Sequence, residues 1–324
     1  MVILGHQFEK YGLSHPLQVV QTFHMPLFFM FAGYFIGFHK DIGVFIKDKA
    51  RRLLIPYLLC CIFITAYKGL IELIKTYSID CGIHELLKWA WISVYASGSG
   101  HGSMIANVGT RAEIGMLWFL IALFWSIIFI RFIGQSRFAW FIVITISAVA
   151  ILSTKIVWLP FSIQNGLGAS FWVYLGCFVR QKELLKKITE LKRIIPLVIV
   201  VWLISAVFGY TRLYACEYRL WLFDVLGDVC GCILVYKVSN YIAGKVGVIK
   251  KFLAYAGTNS LSILCVHFIE NNTISAHKIV EILIPSAYPL IKAFLCWGLI
   301  IVTVIIAVKM LNKIKIIKIA LGIN

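Results

Sequence analysis

Two histidines near the start of the chain are the side chains best suited to acid–base chemistry. His6 closes the apolar run Val-Ile-Leu-Gly, and His24 opens the run Met-Pro-Leu-Phe-Phe-Met-Phe. Imidazole gains and loses a proton near neutral pH, and an ionisable side chain at membrane depth is costly without a partner or a function. The alternative is that each ring caps a helix or bonds a backbone carbonyl. Because the pair flanks one short polar connection, we predict that His6 and His24 are catalytic.

The composition indicates which elements must position these histidines. Of 324 residues, 61% are hydrophobic and 14% are charged, and the mean hydropathy is +0.90, whereas soluble proteins carry about 25% charged residues. We therefore predict an all-α, polytopic integral membrane protein that forms one domain over residues 1–324. Continuous apolar runs predict about ten transmembrane helices. We expect the first to be incomplete, because the run before His6 is far shorter than the ~20 residues that a bilayer requires.

The distribution of charge favours a membrane over a nucleic acid as the partner of this basic chain, whose net charge is +17. The basic residues lie between the apolar runs, where they fix topology and meet anionic lipid headgroups. When residues 40–52 are placed inside and the runs alternate, most of the 31 lysines and arginines fall on the inner side. This asymmetry predicts a multi-pass protein of the cell membrane with a cytoplasmic C-terminus, and no nucleic acid as a partner.

One basic cluster is also a candidate binding site. Lys47, Arg51 and Arg52 stand close together before the apolar run that begins at residue 53. Ammonium and guanidinium groups form charge-assisted hydrogen bonds with phosphate, so the cluster could hold a phosphate-bearing substrate. Lipid headgroups are the alternative partner.

Four further residues are candidate substrate-binding groups at membrane depth. Trp118 stands in Leu-Trp-Phe-Leu, where the alternative is an aromatic residue at the membrane interface. Asn259, Ser260 and His267 lie about two turns apart along one predicted helical face, and such groups can also bond neighbouring helices. The cysteine and histidine spacings do not match a zinc or haem site, so we predict neither a metal nor a bound cofactor.

The order of these motifs resembles the acyltransferase-3 family of membrane acyltransferases. The matching runs are Ile-Leu-Gly-His6, Phe-His-Met-Pro-Leu-Phe-Phe-Met-Phe-Ala-Gly33, Lys-Ala-Arg-Arg-Leu-Leu-Ile-Pro-Tyr57, Leu-Trp-Phe-Leu120, and Asn-Ser-Leu-Ser-Ile263 followed by His267. Within the family, the chain is most similar to the sugar O-acetylases related to fucose 4-O-acetylase.

The resemblance implies an enzyme of about ten helices that transfers an acyl group, commonly acetyl from acetyl-CoA. It implies a hydroxyl of a cell-surface glycan or its precursor as the acceptor, and the bacterial inner membrane as the location. By matching, His6 takes the position of the catalytic histidine, His24 that of the second motif, and Arg51 and Arg52 that of the basic inner segment. The family usually carries a basic residue about ten positions before the first histidine, and this chain begins five before it. We therefore expect the chain as it stands to be weakly active or inactive.

The expected mechanism makes His6 the general base toward the acceptor hydroxyl, with His24 orienting it or donating to the oxyanion. The partners would be acyl-CoA, a glycan or other surface molecule, and the bilayer. Two other functions fit a bundle of apolar helices with buried polar groups: a transporter or flippase of a lipid-linked sugar, and a scaffold with incidental histidines.

Overall fold

The computed structural model describes residues 2–99, 113–190, 193–245 and 247–313. In these residues the regular structure is helical apart from one antiparallel hairpin, in which β1 (Thr211–Arg212) pairs with β2 (Glu217–Tyr218). The α-helices described are α1 (Val2–Lys10), α2 (Ser14–Gln21), α3 (His24–Tyr34), α4 (Ile42–Thr76), α5 (Ile79–Tyr95), α6 (Trp118–Ile133), α7 (Ala139–Ser153), α8 (Ile163–Gln181), α9 (Leu184–Glu190), α10 (Ile195–Phe208), α11 (Leu222–Ala243), α12 (Val248–Thr258), α13 (Ser260–Asn272), α14 (Ala276–Leu283) and α15 (Pro289–Leu311). Two short 3-10 turns span Gly115–Leu117 and Leu213–Ala215. The all-α class is confirmed.

Three of the described helices are long and apolar enough to cross a membrane: α4, α6 with the turn before it, and α15. The pair α12 and α13 would make a fourth span, bent by 77° at their junction. The apolar helices α7 and α10 have 15 and 14 residues, about 22 Å at ~1.5 Å per residue, which is less than the ~30 Å hydrocarbon core. The chain is a membrane protein, and a total of about ten spans stays a prediction.

Several segments predicted to connect spans are helical instead. Residues 40–52 were expected to form a basic link, but α4 begins at Ile42, where the Asp41 carboxylate accepts from the Val44 N–H at 3.1 Å. This cap makes α4 35 residues long, about 53 Å. The residues that follow α4 form α5, which Ser78 caps by accepting from the Cys81 N–H. Asp and Ser are common N-cap residues. Each side chain accepts a hydrogen bond from one backbone N–H of the first turn that has no partner within the helix.

The closest helix contact described joins α3 to α8. A Cβ atom added at Gly33 would lie 1.8 Å from the carbonyl oxygen of Val173, and one at Gly176 would lie 1.9 Å from that of Met30. The two backbones therefore touch, as small residues allow in membrane bundles. This contact fixes α3 and, with it, His24 at the start of that helix.

The start of the chain packs away from this main core. α1 lies against α2 and α15, and α13 packs on α15 from another side. Phe8 of α1, Val20 of α2 and Ala293 of α15 form one small apolar cluster, and Ile3 joins another cluster built on α14 and α15. α15 therefore supports both α1 and α13, and these two helices carry the residues described next.

Candidate active site

The structure brings two histidines together from opposite ends of the chain. The ring centroids of His6 in α1 and His267 in α13 lie 6.0 Å apart, with the rings tilted by 47°. The His6 side chain is 34% exposed and that of His267 is 2% exposed. One imidazole is therefore open to a substrate, and the other is enclosed behind it.

Each of these histidines has a glutamate one helical turn further along. The His6 Nδ1 and Glu9 Oε2 atoms are 3.7 Å apart, and the His267 Nδ1 and Glu270 Oε2 atoms are 3.3 Å apart. A carboxylate on this side favours the tautomer with its proton on Nδ1, which leaves the Nε2 lone pair free to act as a base. The arrangement can thus place a general base, and a second imidazole that can carry a proton, side by side.

Sequence reasoning missed both glutamates, although a local signal for them exists. The runs His6-Gln-Phe-Glu9 and His267-Phe-Ile-Glu270 repeat the same His-x-x-Glu spacing. Residues three apart on a helix are neighbours on its surface. A search for this spacing on the predicted helices would have found both pairs.

A lysine ties the end of α1 to the end of α13. The Lys10 ammonium donates to the Asn271 side-chain oxygen, and it lies 3.5 Å from the Ser275 hydroxyl. It also interacts electrostatically with Glu270, whose other oxygen, Oε1, accepts from the Ala276 N–H at 2.7 Å. These contacts join the helices one turn beyond the two histidines and so hold the ring-to-ring distance.

Unpartnered polar atoms are concentrated at this junction. Among the described residues, the Nε2 atom of His267 has no hydrogen-bond partner, and the same is true of both amide atoms of the fully buried Gln7. Buried polar atoms are nearly always hydrogen-bonded in native proteins, and exceptions often mark functional sites. The residues next to His6 and around His267 therefore keep hydrogen-bonding capacity for a substrate.

His24 lies near His6 but bonds the backbone. Its Nδ1 atom is 2.8 Å from the carbonyl oxygen of Val20, and because a carbonyl only accepts, Nδ1 carries the proton. His6 acts on His24 electrostatically. Val20 also packs against Gly5, at 3.3 Å from the position a Cβ would take there. His24 is thus linked to α1 through Val20, and its catalytic role stays a prediction.

The predicted donor cluster lies elsewhere along α4. The Lys47, Arg51 and Arg52 side chains are exposed, and Arg52 Nε bonds Asp48 Oδ1 at 3.0 Å. The thiols of Cys60 on α4 and Cys265 on α13 are in contact. His267 follows Cys265 by two residues, so it lies beside the part of α4 just beyond Cys60. From Arg52 to Cys60 the helix rises about 12 Å. The structure therefore separates the cluster from the histidines.

A cavity of about 260 Å³ lies at the same end of the molecule as the basic cluster. It is bordered by His39, Cys177, Arg180 and Gln181, beside the contact of α3 with α8. The Arg180 guanidinium donates from Nη1 to the carbonyl of Tyr34 and to that of Ile36, both at 3.2 Å. Sequence reasoning did not single out Arg180, because several other basic residues follow it closely in the sequence.

The other predicted binding residues make structural contacts. Trp118 is buried, with its ring 6.4 Å from that of Phe29. Asn259 occupies the bend between α12 and α13, where its amide donates to the Tyr255 carbonyl and accepts from Asn312 Nδ2, both at 2.9 Å. Ser260 begins α13 and is exposed. Substrate binding by Trp118, Asn259 and Ser260 stays a prediction.

An imidazole open to substrate and supported by a carboxylate, within a bundle of apolar helices, is the kind of site expected of a membrane enzyme that works by acid–base chemistry. Comparison with protein families is consistent with this class: a model described as an acyltransferase domain matches residues 1–311. The chain therefore belongs to the acyltransferase-3 family and is an acyltransferase of groups other than aminoacyl groups. Comparisons with curated proteins and with solved structures find no match. The closer likeness to fucose 4-O-acetylase stays a prediction.

Proposed function

We propose that this acyltransferase moves an acyl group, in the first instance acetyl, from acyl-CoA to a hydroxyl of a cell-surface glycan or its precursor in the bacterial inner membrane. The observation that supports this most is the open His6–Glu9 pair with His267 6.0 Å from it. A hydroxyl is a poor nucleophile until a base removes its proton. The family match favours this function over transport, flipping or a scaffold role.

In the proposed reaction, the Nε2 atom of His6 accepts the proton of the acceptor hydroxyl as the oxygen attacks the thioester carbonyl. A C–O bond forms and the C–S bond breaks. The leaving thiolate takes the proton from the His6 imidazolium and departs as the free thiol. Glu9 keeps the proton on Nδ1 and stabilises the imidazolium that forms, which is the usual role of a carboxylate behind a catalytic histidine.

The oxyanion of the tetrahedral intermediate needs a donor, and His267 suits this role better than His24. Neutral His24 commits its N–H to the Val20 carbonyl and has no second proton to donate. The Nε2 atom of His267 has no described hydrogen-bond partner, and Glu270 Oε2 lies 3.3 Å from Nδ1. Burial disfavours the imidazolium form of this ring and the Glu270 carboxylate favours it, so the proposed role requires the carboxylate to keep the ring protonated while Nε2 donates to the oxyanion.

The donor would bind at the end of the molecule where Lys47, Arg51, Arg52 and Arg180 lie. The three α4 residues are exposed to solvent, and the partly open cavity beside Arg180 has a volume of about 260 Å³. Phosphates of coenzyme A would pair with these cations, and the thioester arm would extend along α4 toward His6. The acyl group alone would then have to reach membrane depth, so the charged part of the donor could stay outside the hydrocarbon.

The test is transfer of radiolabelled acetyl from acetyl-CoA by the full chain in liposomes, with extracted cell-surface glycan as the acceptor. We expect label in the glycan with the unaltered chain and none with His6→Ala at equal insertion. His84→Ala, on the exposed face of α5, is the matched control and should retain activity. Equal labelling by the His6 variant would overturn the proposal.

A further inference from the structure

We propose that a second cavity, at the opposite end of α4 from Arg51 and Arg52, binds a phosphate group. The cavity measures about 190 Å³ and lies between α4, α5, α13 and α14. Three of the residues that line it are lysines: Lys68 and Lys75 from α4, and Lys278 from α14. The assignment of this phosphate to the acceptor rests on the proposed function, whereas the binding itself does not.

The charges around the cavity are unbalanced. Glu85 also lines it, but its carboxylate is already engaged by Lys88 at 3.0 Å and by the Trp89 N–H at 3.0 Å. Glu72 is the other carboxylate on the wall, facing three lysines. Of these, Lys68 is repelled by Lys278, Lys75 and Lys88, and Glu85 attracts it. A bound dianion would relieve this repulsion, because close like charges weaken a fold and opposite charges stabilise it.

The lysines are the cationic groups on the wall, and neutral polar groups stand beside them. The Thr273 hydroxyl donates to the Ile269 carbonyl, and the Asn272 amide uses one of its two N–H groups on the Phe268 carbonyl. The second Asn272 N–H and the Tyr67 hydroxyl, which also lines the cavity, could add hydrogen bonds to a phosphate. The Lys68 ammonium lies 5.2 Å from the centre of the Trp89 ring, a cation–π distance that holds it at the wall. A cavity of 190 Å³ is about six times the ~30 Å³ that a water molecule occupies. Phosphate therefore fits with part of the group it is attached to.

The position of the cavity suits an acceptor. From Arg52, α4 rises about 24 Å to Lys68 and about 35 Å to Lys75, and the hydrocarbon core is ~30 Å thick. The Lys75 end of the cavity and the basic cluster therefore fit opposite membrane surfaces. Thr273 lies about 9 Å beyond His267 along the chain of α13. A phosphate-bearing glycan held here would approach the histidines from the side opposite to the donor.

The direct test is titration of the detergent-solubilised full chain with inorganic phosphate, by calorimetry at low ionic strength. We expect saturable binding by the unaltered chain and at least tenfold weaker binding by Lys68→Gln and by Lys278→Gln. Because Lys278 is exposed on a short helix, its variant tests the site even if Lys68→Gln does not fold. The matched control is Lys155→Gln, an exposed lysine over the Trp221 ring, which should bind as the unaltered chain does. Absence of binding, or equal binding by all four proteins, overturns the proposal.

A second experiment separates the two sources of phosphate. The titrant is glucose 1-phosphate, and the chain is held in nanodiscs of phosphatidylcholine alone or with one third phosphatidylglycerol. Lysine-dependent binding in both discs supports a glycan phosphate, and loss of binding only with phosphatidylglycerol supports a lipid headgroup in the same site. Neither titration contains an acyl donor, so phosphate binding can succeed when acetyl transfer fails, and the reverse.

Discussion

The two histidine–glutamate pairs have the same spacing and very different surroundings. Glu9 is 54% exposed beside an open His6, whereas Glu270 is 14% exposed beside an enclosed His267. An exposed pair meets substrate and solvent, but its electrostatic interaction is screened. A more buried pair interacts more strongly, because less solvent screens its charges. The His-x-x-Glu motif therefore suits proton exchange with a substrate at His6. At His267 it suits a charged group held in a fixed position.

The largest expected effect comes from removing the exposed ring. His6→Ala should lower kcat by about 10²–10⁴, the usual contribution of a general base. The measurement is single-turnover acetyl transfer at saturating acetyl-CoA, with insertion checked by size exclusion in detergent. A variant that inserts normally and turns over at the original rate would remove His6 from the chemistry.

Removing the enclosed ring tests whether the second pair is also functional. His267→Gln should lower kcat by about 10²-fold, as loss of one oxyanion donor does, with little change in the KM for acetyl-CoA. Thermal unfolding of the variant provides the contrast. A large fall in melting temperature with an unchanged kcat would show that His267 only supports the packing of α13.

Removing donor contacts should leave both pairs intact. Each hydrogen bond to a charged group contributes about 1.5–3 kcal/mol, and exposure reduces this, so we expect Arg51→Ala with Arg52→Ala to raise the KM for acetyl-CoA about tenfold. The kcat should stay the same. Arg137→Ala is the matched control, since that exposed arginine stacks on its neighbour Phe138. If the double variant changes only membrane orientation, the two arginines determine topology alone.

The smallest expected effect gives the sharpest comparison of the pairs. Glu9→Gln should lower kcat no more than about fivefold, because the interaction of an exposed ion pair amounts to about 1 kcal/mol or less. The same change at Glu270 should lower kcat further, since little solvent screens that carboxylate. Both variants keep the side-chain shape, so stopped-flow transfer at fixed pH compares the charges directly. A larger loss at Glu9 would reverse the assignment of the two pairs.

Sequence alone identified the histidines but not their arrangement. His6, His24 and His267 stand out because ionisable residues are rare in apolar runs. The contact between His6 and His267 joins residues at opposite ends of the chain, because α1 and α13 both pack on α15. No local sequence pattern predicts such a contact. The two glutamates could have been predicted, because the His-x-x-Glu spacing is visible in the sequence.

The apolar run of residues 252–269 shows why other features were missed. Its apolar character indicates a helix, and helices are present, but α12 ends at Thr258 and α13 begins at Ser260. The Asn259 amide at the bend accepts from Asn312, far along the chain. A break held by such a distant partner depends on tertiary structure. The helical start of α4 was different, since the Asp41 cap lies in the local sequence.

The backbone contact between α3 and α8 also restricts how the molecule can move. With carbonyl oxygens where side chains at Gly33 and Gly176 would stand, neither helix can rotate or slide past the other without a clash. Any opening that admits substrate must therefore come from other helices. α1 and α13 meet through side chains, chiefly Lys10, and side chains change rotamer far faster than packed helices shift. Because the His6 side chain is already 34% exposed, we expect any widening of its surroundings to come from the junction of α1 with α13, as the Lys10 contacts break and re-form.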